Sequence, residues 1–123
     1  LDAGMIYQTW PLMNENYFPD DVTLEKNLFN LFNQASFVQF LHRNIAYFII
    51  IYTSVILFFV FYKGKSNLYK PAAYLGLAIL IQALLGILTL ISGVSMIFAS
   101  MHQLSTIFLL VSSIYFYYKS SIQ

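Results

Sequence analysis

Three long apolar runs constrain what this chain can fold into. They extend from about Phe37 to Tyr62, from about Leu68 to Ile91 and from about Met96 to Tyr118. At about 1.5 Å per helical residue, each is long enough to cross a hydrocarbon core roughly 30 Å thick. Lipid offers the backbone no hydrogen-bond partner, so spans of this kind must be helices. The expectation is an all-α, multi-pass membrane protein with three transmembrane helices.

Composition supports this. Of the 123 residues, 59% are hydrophobic and only 9% are charged, against about 25% charged in an ordinary soluble domain. A soluble chain this small could not cover so much apolar surface, so membrane lipid is the first partner. Net charge is +1, and there is no basic tract and no Gly-rich phosphate loop. Nucleic acid and nucleotide phosphates are therefore not expected partners. The absence of cysteine removes disulfides, thiolate metal sites and thiol catalysis. The sequence starts at Leu1, with no basic stretch and cleavage site ahead of it, which predicts a piece of a longer chain.

The breaks between the runs carry turn signals. "YKGKSNLYKP" (62–71) holds three lysines, a glycine, and a proline near a helix start, where its missing N–H costs little. "SGVS" (92–95) offers Gly93 as a helix stop and Ser95 as an N-cap. That turn is short, so the second and third spans should be antiparallel neighbours.

The first 36 residues differ in kind. They hold all five acidic residues, Asp2, Glu15, Asp20, Asp21 and Glu25. "WPLMNENYFPDD" reads as a loop. "DDVTLEKNLFNLFNQ" reads as an amphipathic helix, either lying on the membrane surface or packing as a cap on the bundle, with Asp20 or Asp21 as its cap and Leu24, Leu28, Leu31 and Phe32 as one apolar stripe. The expected division is therefore 1–36, loop and amphipathic helix, and 37–123, the transmembrane part. Lys63, Lys65 and Lys70 separate spans one and two, and Lys119 follows span three. The excess of lysine predicts that this side faces inward and the acidic N-terminal segment outward.

Only two histidines occur, His42 and His102. They fall at similar distances into spans one and three, which run in the same direction. Two imidazoles at one depth on two helices could hold a planar cofactor, because haem iron accepts two axial imidazoles and helix bundles hold haem between facing helices. Ala46, Ala99 and Ser105 are small neighbours that would admit a porphyrin. Arg43 could pair with a propionate. The competing reading is that each histidine is a hydrogen-bonded structural residue and that Arg43 snorkels to headgroups. Zinc is disfavoured for want of further ligands, and a proton relay for want of a carboxylate in the spans. Gln82, Gly86 and Thr89 form one stripe of span two, suited either to close helix packing or to reaching a ligand.

Three stretches add a family likeness. "LDAGMIYQTWPLM" (1–13), "NLFNQASFVQFLHR" (30–43) and "QALLGILTLISGVSMIFASMHQ" (82–103) resemble, in order, segments of the C-terminal half of the haem A synthase family. Gln8 stands where that family would carry asparagine. The resemblance implies an eight-helix protein made of two four-helix bundles, of which this chain supplies the last three helices. It implies haem b between His42 and His102, near the outer face. It also implies a full-length enzyme, an oxidoreductase that converts the haem O methyl group to the formyl group of haem A. The substrate-haem half, with its catalytic residues, is the missing N-terminal half, so this piece alone is expected to be inactive. The electron donor is unknown. The residue usage favours a bacterial cell membrane over the mitochondrial inner membrane. The alternatives are an electron-transfer membrane cytochrome b without substrate chemistry, and a cofactor-free assembly subunit.

Overall fold

The computed structural model of the chain describes residues 2–23 and 28–122. The α-helices described are a short one, α1 (Leu28–Leu31), and three long ones, α2 (Ala35–Tyr62), α3 (Tyr69–Ile91) and α4 (Met96–Ser121), with 3-10 turns at Ala3–Met5 and Ser66–Leu68. No strand occurs among the described residues. Each long helix is apolar and long enough to cross a membrane. Most of their apolar surface is uncovered by the chain itself, as expected of helices solvated by lipid or by further helices.

Both connections between the long helices turn on a left-handed glycine. Gly64 (φ 63°) ends α2: the Lys65 N–H donates to the Val60 carbonyl at 3.2 Å and the Gly64 N–H to that of Phe61 at 3.1 Å. Gly93 (φ 68°) ends α3 in the same way, with the Val94 N–H bonding Thr89 at 2.8 Å and the Gly93 N–H bonding Leu90 at 3.1 Å. In both motifs the last helical carbonyls gain partners that lipid could not supply. Ser95 occupies the N-cap position of α4, but its side chain makes no cap bond. Instead Ser92 closes the turn, its Oγ donating to the Thr89 carbonyl and accepting the Ser95 N–H. Pro71 lies in the first turn of α3.

The helices α3 and α4 pack closely along their length, α2 meets α3 more loosely, and α2 and α4 scarcely touch. An apolar cleft of about 350 Å³ opens between α2 and α3 beside Thr53, Leu57, Gly76 and Ala83. At the lysine end, Val60, Leu68 and Ala72 form a buried cluster with Leu57 and Phe116 against it, tying all three helices together.

The N-terminal segment lies at the opposite end. It touches the start of α2 and also the α3–α4 turn: a Cβ on Gly4 would stand 3.3 Å from Val94 Cγ2, and one on Gly93 would stand 3.5 Å from the Gln8 amide. Lysines and N-terminal loop therefore occupy opposite ends, as the sequence predicts. The predicted surface helix is described in part. Residues 20–21 form a turn, 22–23 are irregular, and Leu28–Leu31 is the helical part of the described residues; Leu24, Glu25, Lys26 and Asn27 lie outside them. The Asp21 carboxylate accepts bonds from Tyr7 and Ser36. Asp20 is bonded by the Asn16 side chain.

Candidate functional site

On α2 a polar stripe, Ser36, Gln39 and Arg43, is buried in an otherwise apolar helix. Its partner is the N-terminal loop. The Gln39 amide makes two bonds with the backbone of Tyr7, donating to its carbonyl at 2.8 Å and accepting its N–H at 3.2 Å. Arg43 Nη2 donates to the same carbonyl and Nη1 to that of Leu12, both at 3.1 Å. The Arg43 Nε–H is buried and has no partner among the described residues. Asp21 accepts the Tyr7 hydroxyl at 2.6 Å and the Ser36 hydroxyl. These two bonds, Ser36 first, hold the Asp21 carboxyl below the usual carboxylate range, while the same carboxylate and burial push the Tyr7 hydroxyl up. Phe40 closes the contact, edge-on to Tyr17 at 5.5 Å and to Phe18 at 5.0 Å.

His42 is next to Arg43 in sequence, but consecutive helical residues point about 100° apart. It shares a face with Ala46, Thr53 and Val60, the side turned toward α3. Its ring is exposed within this chain and has no hydrogen-bond partner among the described residues. His102 is half-buried between α4 and α3, and its Nδ1 is buried without a partner among the described residues. His42 lies seven residues beyond the first residue of α2 and His102 six beyond that of α4, about 10 Å and 9 Å along each axis. The structure thus brings the two predicted histidines to one end of the bundle, on the two helices that stand apart, and turns Arg43 toward the loop.

The flank of His102 is shaped by α3. A Cβ on Gly86 would lie 3.0 Å from His102 Cε1, 3.5 Å from Nδ1 and 3.7 Å from Nε2. One turn away, Gln82 accepts a bond from the Ser105 hydroxyl and donates to Thr106 Oγ1 at 3.2 Å. Thr89, expected on the same stripe, instead bonds the Leu85 carbonyl of its own helix. Among the described residues no group of three or more His, Cys, Asp or Glu could hold a metal ion. Sequence reading missed Tyr7, Asp21, Ser36 and Gln39. The available signal was the spacing of Ser36, Gln39 and Arg43 at i, i+3 and i+7.

Over residues 1–114 the chain matches the family described as cytochrome oxidase assembly protein. The chain belongs to the haem A synthase family. It is 44% identical to the haem A synthase of Pelagibacter ubique, over 98% of this chain and 36% of that protein. It is 37% identical to that of Rickettsia prowazekii, over 98% of this chain and 37% of that protein. The haem A synthase of Rickettsia felis is 38% identical over 96% of this chain and 35% of its own length. The chain spans little more than a third of these relatives. No solved structure matches it. With three apolar helices and this family membership, it is an integral membrane protein.

Proposed function

We propose that this chain is the C-terminal part of a haem A synthase, that it binds haem b with His42 and His102 as axial ligands of the iron, and that it supports oxidation of the haem O methyl group to the formyl group of haem A. The observation that carries the reading is the histidine pair. Two imidazoles stand at one level on helices that scarcely touch, and one of them keeps a buried nitrogen with no partner beside a glycine whose Cβ it would exclude. That donor set fits haem iron, which takes two imidazoles, better than zinc, which needs more ligands. A haem held in this way supplies one-electron transfer.

The chain's own residues divide the work. His42 and His102 would hold the cofactor through their ring nitrogens. Arg43 and Gln39 hold the loop across the same end, and Arg43 has its Nε–H left for a propionate. The site then lies near the outer face of a bacterial cell membrane, opposite the lysines. Chemistry on haem O falls to the remainder of a full-length relative.

The test is the reduced optical spectrum of the full-length protein. A low-spin b-type band is expected, and it should be lost in His42→Ala and in His102→Ala. A band unchanged in both variants would refute the assignment. Analysis of extracted haem separates the synthase from a cytochrome b that only transfers electrons, since the synthase alone yields haem A from a supply of haem O.

A further inference from the structure

We propose that α3, which carries no ligand, orients the His102 ring through two positioning residues, Gly86 and Gln82. The proposal rests on the haem reading above for its consequence, but its geometry is independent of it. All three Gly86 distances are to ring atoms of His102, the shortest 3.0 Å. The imidazole lies against the bare Cα of the glycine. A methyl group there cannot be met by bending a flexible chain end, because the neighbour is a rigid ring, and the ring must turn or α4 must move away.

Gln82 acts one turn along the same face. Its amide bonds Ser105 and Thr106, and both of those hydroxyls also reach the His102 carbonyl, at 2.9 and 3.2 Å. The single Ser105 proton serves Gln82 or the carbonyl, whereas Thr106 can accept from Gln82 and donate to the carbonyl at once. The amide therefore locks the register of α4 against α3 at the turn that carries the histidine. One contact sets where the ring lies and the other sets where its backbone lies. Partners of this kind orient a ligand and tune its binding without touching the metal.

A matched control exists in the same helix. A Cβ on Gly76 would also meet a neighbour at 3.0 Å, but that neighbour is Leu57 Cδ1, the movable end of a side chain at the α2–α3 contact. Gly86→Ala and Gly76→Ala thus insert the same methyl at the same distance, and only one of them presses on His102.

The experiment uses the full-length protein in detergent with two readouts. In the haem-free protein, modification of each histidine by diethylpyrocarbonate is followed by mass spectrometry. Gly86→Ala and Gln82→Leu should raise the rate at His102 severalfold relative to His42, and Gly76→Ala should not. In the haem-loaded protein, Gly86→Ala should weaken haem binding roughly 10- to 100-fold and shift the low-spin band, with Gly76→Ala close to the unaltered protein. Equal effects of the two glycine variants, or no change at His102 in both Gly86→Ala and Gln82→Leu, would overturn the positioning role. Should His102→Ala leave the haem band intact, the haem reading fails, while the modification rates still decide whether α3 orients the ring.

Discussion

Replacing Arg43 by alanine tests what the guanidinium does. In the structure it spends two N–H groups on backbone carbonyls of the loop, those of Tyr7 and Leu12, each at 3.1 Å. Hydrogen bonds from a charged donor contribute about 1.5–3 kcal/mol each. The lower figure applies here, because neither carbonyl is left bare: Tyr7 keeps the Gln39 amide at 2.8 Å and Leu12 keeps the Thr9 hydroxyl at 2.9 Å. Arg43→Ala should then weaken docking of the loop by about 3 kcal/mol, which is about a hundredfold in the undocked population. Arg43→Lys, with one compact ammonium in place of the fork, should fall between, near tenfold. The assay is amide hydrogen exchange of the loop peptide, followed by mass spectrometry, in the full-length protein. It contains the buried Tyr7 N–H bonded to Gln39 and the Met13 N–H bonded to Asn16 at 2.8 Å. In the regime where closing outpaces exchange, the rate follows the open population. Exchange unchanged in Arg43→Ala, with haem binding lost, would refute the clamp and assign the residue to the cofactor alone.

Three further outcomes are expected. The Asp21 carboxyl is held below its ordinary range, so its contribution to docking is complete above about pH 4 and is lost as pH falls through the lowered value. The Tyr7 hydroxyl is raised, so its contribution holds below about pH 10 and is lost as pH rises through the raised value; loop exchange corrected for intrinsic rate should be flat between, and Asp21→Asn should abolish the acid limb. Val94, a β-branched residue at φ 58°, carries strain of about 1 kcal/mol, so Val94→Gly should raise Tm in detergent despite losing its contact near Gly4. Gly93→Ala should lower Tm, since a side chain at φ 68° costs about 1 kcal/mol.

The spans were legible because one physical rule sets them. Lipid accepts only self-satisfied backbone, so an apolar run of sufficient length has one solution, and Gly64 and Gly93 mark the ends by supplying the left-handed residue each turn requires. The similar depth of His42 and His102 was legible for the same reason: once the helix starts are known, counting residues gives depth. The partners of Asp21 were not, because an acidic residue ahead of a periodic stretch resembles a cap whatever else competes for it. Here Tyr7, fourteen positions upstream, and Ser36, fifteen downstream, take Asp21, and no local pattern announces a bond between residues so far apart.

Arg43 shows where the boundary of legibility lies. Sequence placed it beside His42 and so beside the cofactor, but adjacency on a helix separates two side chains by about 100°. What matters is the face, and Ser36, Gln39 and Arg43 share one. Three polar residues along one stripe of an apolar helix demand hydrogen-bond partners that lipid lacks. The loop has the converse need. Its backbone is irregular from residue 6 to 23 apart from turns and one bridge, so its carbonyls lack the partners a helix would give them. At about 42 Å, the 28-residue α2 exceeds a hydrocarbon core of roughly 30 Å by about eight residues, the distance from Ala35 to Arg43. The stripe and the loop each satisfy what the other leaves open. Arg43 serves both sides of that junction: its Nη atoms complete the loop, while its unpartnered Nε–H lies one residue from a proposed iron ligand.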